Sequence, residues 1–326
     1  MNKMVISVII VNYNGKRWLK KCFDSLLSQT YRNFEIIFVD NNSSDDSIKF
    51  LENNYKDTRI KIIRSKENLG FAGGNNIGIK KSEGEYMLLL NNDVWVEPNF
   101  LETIWKYYNE NDYDIIAPFE RDYDPKIKFK DYKINIDLLG HPIYYRENLI
   151  NKQEFYLSGV SLFFSKKLYQ ETKGLDNNFF MYFEEIDWFW RLNLLEKSFS
   201  HIPNVFVYHK GAGSTGAGIK YLSFLWRNQN TLQMLLKNYS FPTLIFVLPF
   251  YLLQNIIELV FFLMILNPKI SLTYLQGWFF NIKYLKRTWK QRQWVQKNRK
   301  INDYEIMKKM YFGSAKYIHL RKFFNI

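Results

Sequence analysis

The sequence predicts an α/β fold built on an open, mainly parallel sheet. Residues 4–11 and 34–39 are short, β-branched and nearly continuous in apolar side chains, which is typical of buried parallel strands. Further short apolar runs at 60–63, 86–90 and 115–118 are separated by segments with helical character. Strands that alternate with helices indicate a sheet covered by helices on its faces.

The helices are predicted from turn signals followed by apolar spacing. Asn14-Gly15 precedes a helix in which Trp18, Cys22 and Leu26 recur on one face. Cys22 is the one cysteine, so an internal disulfide is excluded, and its apolar face predicts a small core residue. Three more helices are predicted after the loop 41–45 (ending near Asn54), after the glycine-rich stretch 68–78 and after Pro98.

Length and charge limit the possible classes of protein. A chain of 326 residues allows one large domain or two smaller ones with an ample core. The net charge is +13, and residues 277–326 contain thirteen Lys and Arg against two acids. Such a segment can bind nucleic acid, lie on an anionic membrane or be a solvated face. The apolar run 4–11 is too short and too β-branched for a signal peptide, which argues against secretion through that end.

The run 241–266 is almost wholly apolar and roughly long enough to cross a bilayer. Basic residues flank it on both sides, and Pro249 and Glu258 are poorly placed for a lipid-exposed span. Trp278 and Trp289 follow among several lysines, as in helices that lie at a membrane interface. We therefore expect one or two interfacial helices or a shallow hairpin, and the alternative is a soluble helical subdomain.

Polar residues directly follow two of the predicted strands. Asp40 ends the second strand, and Asn91, Asn92 and Asp93 end the fourth. Ligands of open α/β sheets bind at the carboxyl ends of the strands, so these positions predict a ligand site, although each alone is also typical of a turn or helix cap. The stretch 68–78 lacks both the Gly-Lys-Ser/Thr of a phosphate loop and the G-x-G-x-x-G dinucleotide pattern.

Three carboxylates stand in the strongly aromatic stretch 179–194. A helix that begins here places Glu184 and Asp187 on neighbouring faces, with Glu185 pointing away from them. Carboxylates among aromatic side chains lose solvation, so they acquire partners or their pKa values rise. The stretch predicts either a general base or a buried ion pair to Arg191, and both interpretations stay open.

Two further segments bear on function. Residues 119–153 are polar and irregular and are interpreted as a variable insert, before a strand over 155–165. His209 follows a strand over 199–208 and precedes a Gly/Ser loop. A lone histidine is usually a core or surface residue, but this position is also that of a metal ligand or phosphate contact.

Taken together, the motifs resemble family-2 inverting glycosyltransferases of the GT-A fold, closest to their rhamnosyltransferase-like branch. The matching blocks lie in the family order over residues 4–214. They are VIIVNYNG (8–15), QTY (29–31) with FEIIFVDNNSSD (34–45), ENLGFAGGNNIGI (67–79), LLLNNDV (88–94), SGVSLFFS (158–165), FFMYFEEIDWFWRL (179–192) and VYHKGAGS (207–214).

The resemblance implies a role for each matching position. The apolar and then basic composition of residues 219–326 predicts a helical membrane-associating region there, and the resemblance implies a GT-A nucleotide-diphospho-sugar transferase domain over 1–218. It implies that Asp93, in the place of the family's Asp-x-Asp motif, and His209 bind Mg²⁺ or Mn²⁺. It implies Glu185 as the catalytic base, with Glu184 and Asp187 as the alternatives. It implies donor contacts from Asn12, Asn14, Asp40, Asn68, Gly70, Gly73, Asn75, Asn91 and Asn92.

The predicted function is therefore metal-dependent, inverting hexosyl transfer, with rhamnosyl transfer as one form of it. The donor is a nucleotide-diphospho-sugar, and the acceptor is a hydroxyl of a glycan, expected to be lipid-linked. The protein is expected at the cytoplasmic face of the cell membrane, peripheral or monotopic, on an anionic surface. One alternative is an inactive nucleotide-sugar-binding or scaffold protein. A nucleic-acid-binding protein is disfavoured because no such module is present and the run 241–266 would have no role.

Overall fold

The computed structural model describes residues 5–125, 133–145, 154–211 and 220–318. These residues form two compact units. Unit 1 comprises 5–125, 157–181 and 197–211, and unit 2 comprises 133–145, 154–156, 182–196 and 220–318. The boundary predicted between residues 218 and 219 falls in a segment, 212–219, that lies outside the described residues, as does the Gly/Ser loop that follows His209 from residue 212 onward.

The elements are numbered along the chain. The strands of the described residues are β1 (Ile6–Asn12), β2 (Phe34–Asp40), β3 (Ile60–Arg64), β4 (Tyr86–Leu90), β5 (Val94–Val96), β6 (Ile115–Asp122), β7 (Lys133–Ile136), β8 (Pro142–Tyr145), β9 (Ser161–Ser165) and β10 (Phe199–His209). The helices are α1 (Lys16–Leu27), α2 (Ser47–Asn54), α3 (Gly70–Lys81), α4 (Phe100–Glu110), α5 (Lys166–Glu171), α6 (Glu184–Leu194), α7 (Lys220–Asn238), α8 (Phe241–Met264), α9 (Pro268–Lys283), α10 (Leu285–Asn298) and α11 (Asp303–Lys309).

Unit 1 is organised around one eight-stranded sheet in the order β3-β2-β1-β4-β9-β6-β10-β5. β1 pairs in parallel with β2 and β4, β2 pairs in parallel with β3, and β6 pairs in parallel with β10. β9 and β5 run antiparallel to their neighbours. The register of β1 and β2 places Asn12 beside Asp40 at the carboxyl edge. The mainly parallel α/β sheet predicted from the sequence is confirmed.

Helices α1 and α3 each pack against strands of the sheet in unit 1. α1 buries Leu19, Cys22, Phe23 and Leu26, which lie on one face at helical spacing. Cys22 therefore belongs to the core, as predicted, and burial raises the pKa of its thiol. In α3, a Cβ added at Gly78 would overlap the side chain of Ile9 on β1, so this helix approaches the sheet more closely than a larger residue allows.

Unit 2 combines the β7–β8 hairpin with helices α6 to α11. Polar side chains join α7 to α9: Asn228 Nδ2 donates to Thr273 Oγ1 at 3.0 Å, and Asn281 Nδ2 donates to the Gln229 carbonyl at 2.9 Å. Within the described parts of the chain, α8 alone has the length and apolar composition of a membrane span. The core helix of a soluble protein can have the same length and composition.

Three segments differ from the predictions. β6 continues beyond Pro118 to Asp122, because β10 runs beside it in parallel as far as His209. Residues 119–153, interpreted as irregular, include the end of β6 and the β7–β8 hairpin, while 126–132 and 146–153 lie outside the described residues. The strand predicted over 155–165 is confined to β9, because a turn at 159–160 precedes it.

Candidate functional site

The carboxyl ends of β1 and β2 hold two buried polar residues in contact. Asn12 Nδ2 donates to Asp40 Oδ1 and to Ser43 Oγ, each at 3.1 Å. The second oxygen of Asp40 accepts from the backbone N–H of Ser43 at 2.9 Å. Asp40 therefore has a fixed orientation at the edge of the sheet, and carboxylate lone pairs remain that can accept from a ligand.

The same amide of Asn12 connects this edge to the end of β4. Asn92 Nδ2 donates to Asn12 Oδ1 at 2.6 Å, so a chain of hydrogen bonds runs from Asp40 through Asn12 to Asn92. Gly15 lies directly against both amides, and a Cβ added there would overlap Asn92 Nδ2. The glycine is required by this close approach, which the Asn14-Gly15 turn signal alone did not indicate.

Asn14 anchors the loop that follows β2. Its backbone has a φ of 51°, which asparagine tolerates better than most residues. Its Oδ1 accepts from the backbone N–H of Ser44 at 2.8 Å, and its own N–H donates to Ser43 Oγ at 2.9 Å. Asp45 in turn accepts from the N–H of Lys16, at the first residue of α1. The loops after β1 and β2 therefore form one hydrogen-bonded rim.

The glycine-rich turn before α3 is held next to that rim. Asn68 Oδ1 accepts from the N–H of Gly70 at 3.0 Å, and Asn41 Nδ2 donates to the Gly70 carbonyl at 2.9 Å. Gly70 has a φ of 70°, and a Cβ added there would overlap the Phe180 carbonyl oxygen. Gly70 is thus constrained both by backbone conformation and by contact.

Gly73 and Asn75, the two other residues of this stretch that are predicted to contact the nucleotide-sugar, lie within α3. Asn75 is buried, and its Nδ2 donates to the Phe71 carbonyl, one turn back in the same helix, at 2.9 Å. A Cβ added at Gly73 would press on Leu69. Both residues therefore have a local packing role in this structure.

The end of β4 and the end of β10 bring a carboxylate and an imidazole together. His209 Nε2 lies 3.2 Å from Asp93 Oδ1, and Asn91 Nδ2 lies 3.4 Å from the same ring nitrogen. The backbone fixes this pair, since the N–H of Lys210 donates to the Asp93 carbonyl and His209 pairs with Val94 across the β5–β10 ladder. Asn91 and His209, which are 118 positions apart in sequence, thus meet at the carboxyl edge.

Glu120 is a site residue that the sequence analysis missed. Its Oε2 lies 3.1 Å from His209 Nδ1, on the opposite side of the ring from Asp93. Burial disfavours the imidazolium, but hydrogen bonds to Asp93 and Glu120 outweigh it and raise the pKa of His209 to about 10. Burial also opposes the charge of Glu120, whose pKa is nevertheless lowered by its hydrogen bond to His209. The parallel pairing of β6 with β10 creates this contact. A prediction of it would have required the strand predicted over 115–118 to continue past Pro118.

The donor set at this edge fits a hard divalent cation. Asp93 Oδ1 and His209 Nε2 are close enough to share one ion, and Glu120 on Nδ1 would leave Nε2 as the ligating nitrogen. Carboxylate oxygen with one imidazole suits Mn²⁺ or Mg²⁺ whose other positions go to phosphate and water. Within the described residues, no group of three or more His, Cys, Asp or Glu forms a complete protein-only cage.

The three predicted catalytic carboxylates lie in unit 2, in the first turn of α6. A helix begins within the stretch 179–194, as predicted, and its first residue is Glu184. Glu184 is buried and its Oε2 has no hydrogen-bond partner within the described residues. Burial, with the neighbouring charge of Glu185 adding to it, raises the pKa of Glu184 well above its ordinary value. Glu185 is only partly buried.

Asp187 is committed to a buried ion-pair network. It lies 3.1 Å from Arg191 Nη2 and 2.8 Å from Lys237 Nζ, and it accepts from Asn238 Nδ2 at 3.0 Å. The ion pair to Arg191 that the sequence left open is therefore present. Arg191 is itself buried in this network.

The backbone just before α6 is strained. Tyr182 and Phe183 have φ values of 70° and 71°, a region that bulky residues rarely adopt. α7 holds this conformation, because Asn230 Nδ2 donates to the Tyr182 carbonyl at 2.8 Å and Ser223 Oγ lies 3.1 Å from the Tyr182 hydroxyl. Strain of this kind persists where the surroundings fix it, often beside functional groups.

Comparison with known proteins identifies the family of the chain. The model of glycosyl transferase family 2 matches residues 7–172. The chain is 37% identical over 110 residues to glycosyltransferase GlyA of Streptococcus pneumoniae serotype 4 (strain ATCC BAA-334 / TIGR4), a match that covers 34% of this chain and 16% of GlyA. The matches span less than half the length of the curated relatives.

Solved structures share the fold. S. aureus TarS 1–349 in complex with UDP-GlcNAc has a TM-score of 0.52 at 18% identity, over 72% of this chain and 67% of that one. GalNAc-T7 with UDP, GalNAc and Mn²⁺ has a TM-score of 0.59 at 16% identity, over 72% of this chain and 48% of that one. At these identities the likeness establishes a GT-A-like fold and nothing finer.

Proposed function

This chain belongs to glycosyl transferase family 2, and on that premise we propose that it moves a sugar from a nucleotide-diphospho-sugar to a hydroxyl of a glycan acceptor. The observation that carries the proposal is the Asp93–His209 pair at 3.2 Å, at the same sheet edge as Asn12 and Asp40. This edge is where ligands bind in open α/β sheets.

Asp93 and His209 are the residues that would hold Mg²⁺ or Mn²⁺. When bound, such an ion neutralises the negative charge that develops on the leaving diphosphate. Glu120 orients the imidazole through Nδ1 and leaves Nε2 directed at the same point as Asp93 Oδ1. The structurally similar GalNAc-T7 was solved with UDP and Mn²⁺, which supports a divalent ion here.

The rim after β1 and β2 is proposed to receive the nucleotide. Asp40 would accept from the base, because the hydrogen bonds from Asn12 and Ser43 hold its carboxylate in one orientation. Asn14 would line the same end. Along the diphosphate and sugar we propose Asn68, Gly70, Gly73, Asn75, Asn91 and Asn92. The complex of TarS with UDP-GlcNAc supports a UDP-linked donor.

Glu185 is proposed as the base that removes the proton from the acceptor hydroxyl. Asp187 is occupied by Arg191 and Lys237, and Glu184 is buried, which leaves Glu185 as the carboxylate of this turn with solvent access. A base that activates the acceptor for direct attack on the anomeric carbon gives inversion, with no covalent enzyme intermediate. This assignment agrees with the motif match and is separable from the alternatives by substitution.

The remaining parts of the proposal concern substrates and place. We propose hexosyl transfer, with rhamnosyl transfer as one form of it, to a lipid-linked glycan at the cytoplasmic face of the membrane. Residues 1–218 would carry the catalysis and 219–326 the membrane association. The net charge of about +11 over 277–326 and the apolar helix α8 support contact with an anionic bilayer.

The test is donor turnover by the purified full chain. A panel of nucleotide-sugars is assayed for nucleoside-diphosphate release with Mn²⁺, with Mg²⁺ and with chelator. We expect turnover of at least one donor, loss with chelator, and a fall of at least about a hundredfold in Asp93→Asn. Asp112→Asn, an exposed carboxylate of the same unit, is the matched control.

Two results would contradict the proposal. Binding of a nucleotide-sugar without turnover of any donor would favour the inactive binding protein. Turnover that survives both chelator and Asp93→Asn would exclude the metal-dependent form.

A further inference from the structure

The exposed apolar surface of this protein is concentrated in one region. Among the described residues, 24 large hydrophobic side chains are exposed, and 19 of them lie between Phe241 and Trp289. Single exposed hydrophobic residues are ordinary, but a concentration of this kind marks a surface that is covered in use. The charges around the surface indicate what covers it.

Helix α8 has two different faces. Its inner face buries Leu244, Val247, Tyr251 and Asn255, and Glu258 continues that face one turn on. Glu258 accepts from the Tyr274 hydroxyl at 2.7 Å and pairs with Lys316 at 2.6 Å. The outer face is an exposed apolar stripe at helical spacing, formed by Phe246, Phe250, Leu253, Ile257, Val260 and Met264.

Helix α9 returns beside α8 after a short turn. Ser271 Oγ donates to the Leu259 carbonyl at 2.9 Å and so fastens the two helices together. Leu266 in the turn is the most exposed apolar side chain of the described residues, at 89%. α9 also presents an exposed stripe at helical spacing, formed by Leu272, Leu275, Phe279 and Ile282. The hairpin is therefore apolar outward along both helices.

Positive charge surrounds this hairpin. Residues 268–300 contain nine Lys and Arg and no acid. Lys269 is exposed in the first turn of α9, and Lys283 is exposed in its last turn. In α10, Leu285 and Trp289 are exposed at a spacing of four residues, and each is followed by an exposed lysine, at 286 and 290. Tryptophan and lysine together beside apolar side chains are typical of a helix at the headgroup level of a bilayer.

We propose that α8, α9 and the first two turns of α10 form a docking face that lies flat in the headgroup layer of an anionic bilayer. The docking face consists of the exposed apolar side chains between Phe241 and Trp289 and the exposed lysines 269, 283, 286 and 290. The proposal deepens the membrane association that the proposed function includes. It rests on that function only for the reason why the protein would contact a bilayer.

Two observations favour an in-plane orientation. α8 has 24 residues and is about 36 Å long, so its length alone would permit a crossing. However, its inner face is packed and carries Glu258 in an ion pair, which leaves only one side for lipid. Lys269 and Lys283 lie at opposite ends of α9, so a hairpin that lies flat lets both ammonium groups reach the headgroups of one leaflet.

A cleft opens on the same face. It has a volume of about 450 Å³, and its lining combines apolar side chains, among them Leu275 and Phe279, with Gln229, Gln276, Lys283 and Tyr284. Leu275 and Phe279 belong to the exposed stripe of α9 as well. Acyl chains that enter the cleft would add contact area to the docking face, while Lys283 meets the phosphate of the same lipid.

The first experiment measures binding of the purified full chain to vesicles by flotation, without donor or acceptor. Vesicles of phosphatidylcholine alone are compared with phosphatidylcholine mixed with phosphatidylglycerol. We expect stronger binding to the anionic vesicles, with Lys286→Glu/Lys290→Glu weakening it by about tenfold or more. The control Lys80→Glu/Lys81→Glu, which reverses two exposed charges of α3, should leave binding unchanged.

The apolar part is tested in the same assay. Phe246→Ser/Phe250→Ser should weaken binding to both kinds of vesicle, because the substitution removes apolar area that the bilayer would bury and leaves the charge unchanged. Tyr304→Ser/Tyr317→Ser, which removes two equally exposed rings outside the docking face, is the matched control. Wild-type protein that stays unbound, or self-associates instead, would overturn the proposal. Donor turnover in detergent is read separately, so a failure here leaves the proposed reaction intact.

The second experiment measures depth. Cys22 is fully buried, so Leu266→Cys places one reactive thiol at the hairpin turn. A fluorophore attached there should be quenched by lipids labelled near the headgroup and much less by lipids labelled near the chain end. Stronger quenching from the chain end would place the turn in the bilayer centre and overturn the flat orientation.

Discussion

Glu120 Oε2 lies 3.1 Å from His209 Nδ1, on the side of the imidazole that faces away from Asp93. The ring is therefore held between two carboxylates, one of which is proposed to share a metal ion with it. A carboxylate on the outer nitrogen fixes the ring orientation and increases the basicity of the ligating nitrogen.

Glu120→Gln should weaken Mn²⁺ binding. The substitution keeps the shape of the side chain but removes the charge behind His209, and loss of such a partner typically costs about 10–100-fold in metal affinity. Calorimetric titration of Mn²⁺ into the full chain with UDP present measures the metal affinity directly and does not depend on turnover. Glu110→Gln, at the exposed end of α4, should leave the affinity unchanged. Equal affinities in both variants would show that Glu120 has no positioning role.

Glu185→Gln should abolish most of the transfer while donor affinity is retained. If Glu185 is the base, removing it costs about 10²–10⁴-fold in the rate. Glu184→Gln should have a smaller effect, because the pKa of Glu184 is raised by burial and its neutral form is close in shape to glutamine. The two variants are compared by kcat with saturating donor. The reverse order of effects would assign the base to Glu184.

The main effect of Asp187→Asn should be a lower free energy of unfolding. The change leaves Arg191 and Lys237 buried without their carboxylate, and breaking a buried pair in this way costs about 3–5 kcal/mol. Urea unfolding followed by circular dichroism measures the loss. Glu305→Gln, which breaks the exposed pair with Lys308, should change the free energy of unfolding far less. A fully stable but inactive Asp187→Asn protein would instead place Asp187 among the catalytic groups.

The residues at the carboxyl edge of the sheet could be predicted because the local sequence shows where each strand ends. Buried parallel strands have continuous apolar sequences, and their carboxyl ends share an edge, so the sequence alone predicts that Asp40 and Asp93 lie near one another. The hydrogen bonds through Asn12 and Asn92 agree with that expectation. Strand order and register were not needed for this inference.

Contacts that depend on distant pairing could not be predicted. Glu120 lies in a stretch that reads as polar and irregular, and it joins His209 only through the pairing of β6 with β10. Lys237, which pairs with Asp187, is fifty positions away in sequence, and no local pattern predicts that pairing. In α3, Gly78 has a packing function against Ile9 that composition cannot distinguish from nucleotide contact.

Asp137 gives a pH dependence that can be assigned to one residue. Its Oδ1 accepts from the N–H groups of Leu139 and His141 at 3.0 and 2.9 Å, and its Oδ2 accepts from Ala315 at 2.9 Å. Burial raises its pKa to about 6, and the backbone hydrogen bonds only partly oppose this. The folded state therefore favours the protonated carboxyl.

The sign of the effect follows from linkage. A carboxyl with a raised pKa stabilises the fold fully below its unfolded pKa, and this contribution is lost as the pH rises from about 4 to about 6. The shift from 3.8 to about 6 corresponds to about 3 kcal/mol. Urea unfolding of wild type and Asp137→Asn at several pH values should show their difference in free energy of unfolding falling by that amount across this window. A difference that is constant with pH would mean that Asp137 does not titrate there, and that its three backbone hydrogen bonds outweigh its burial.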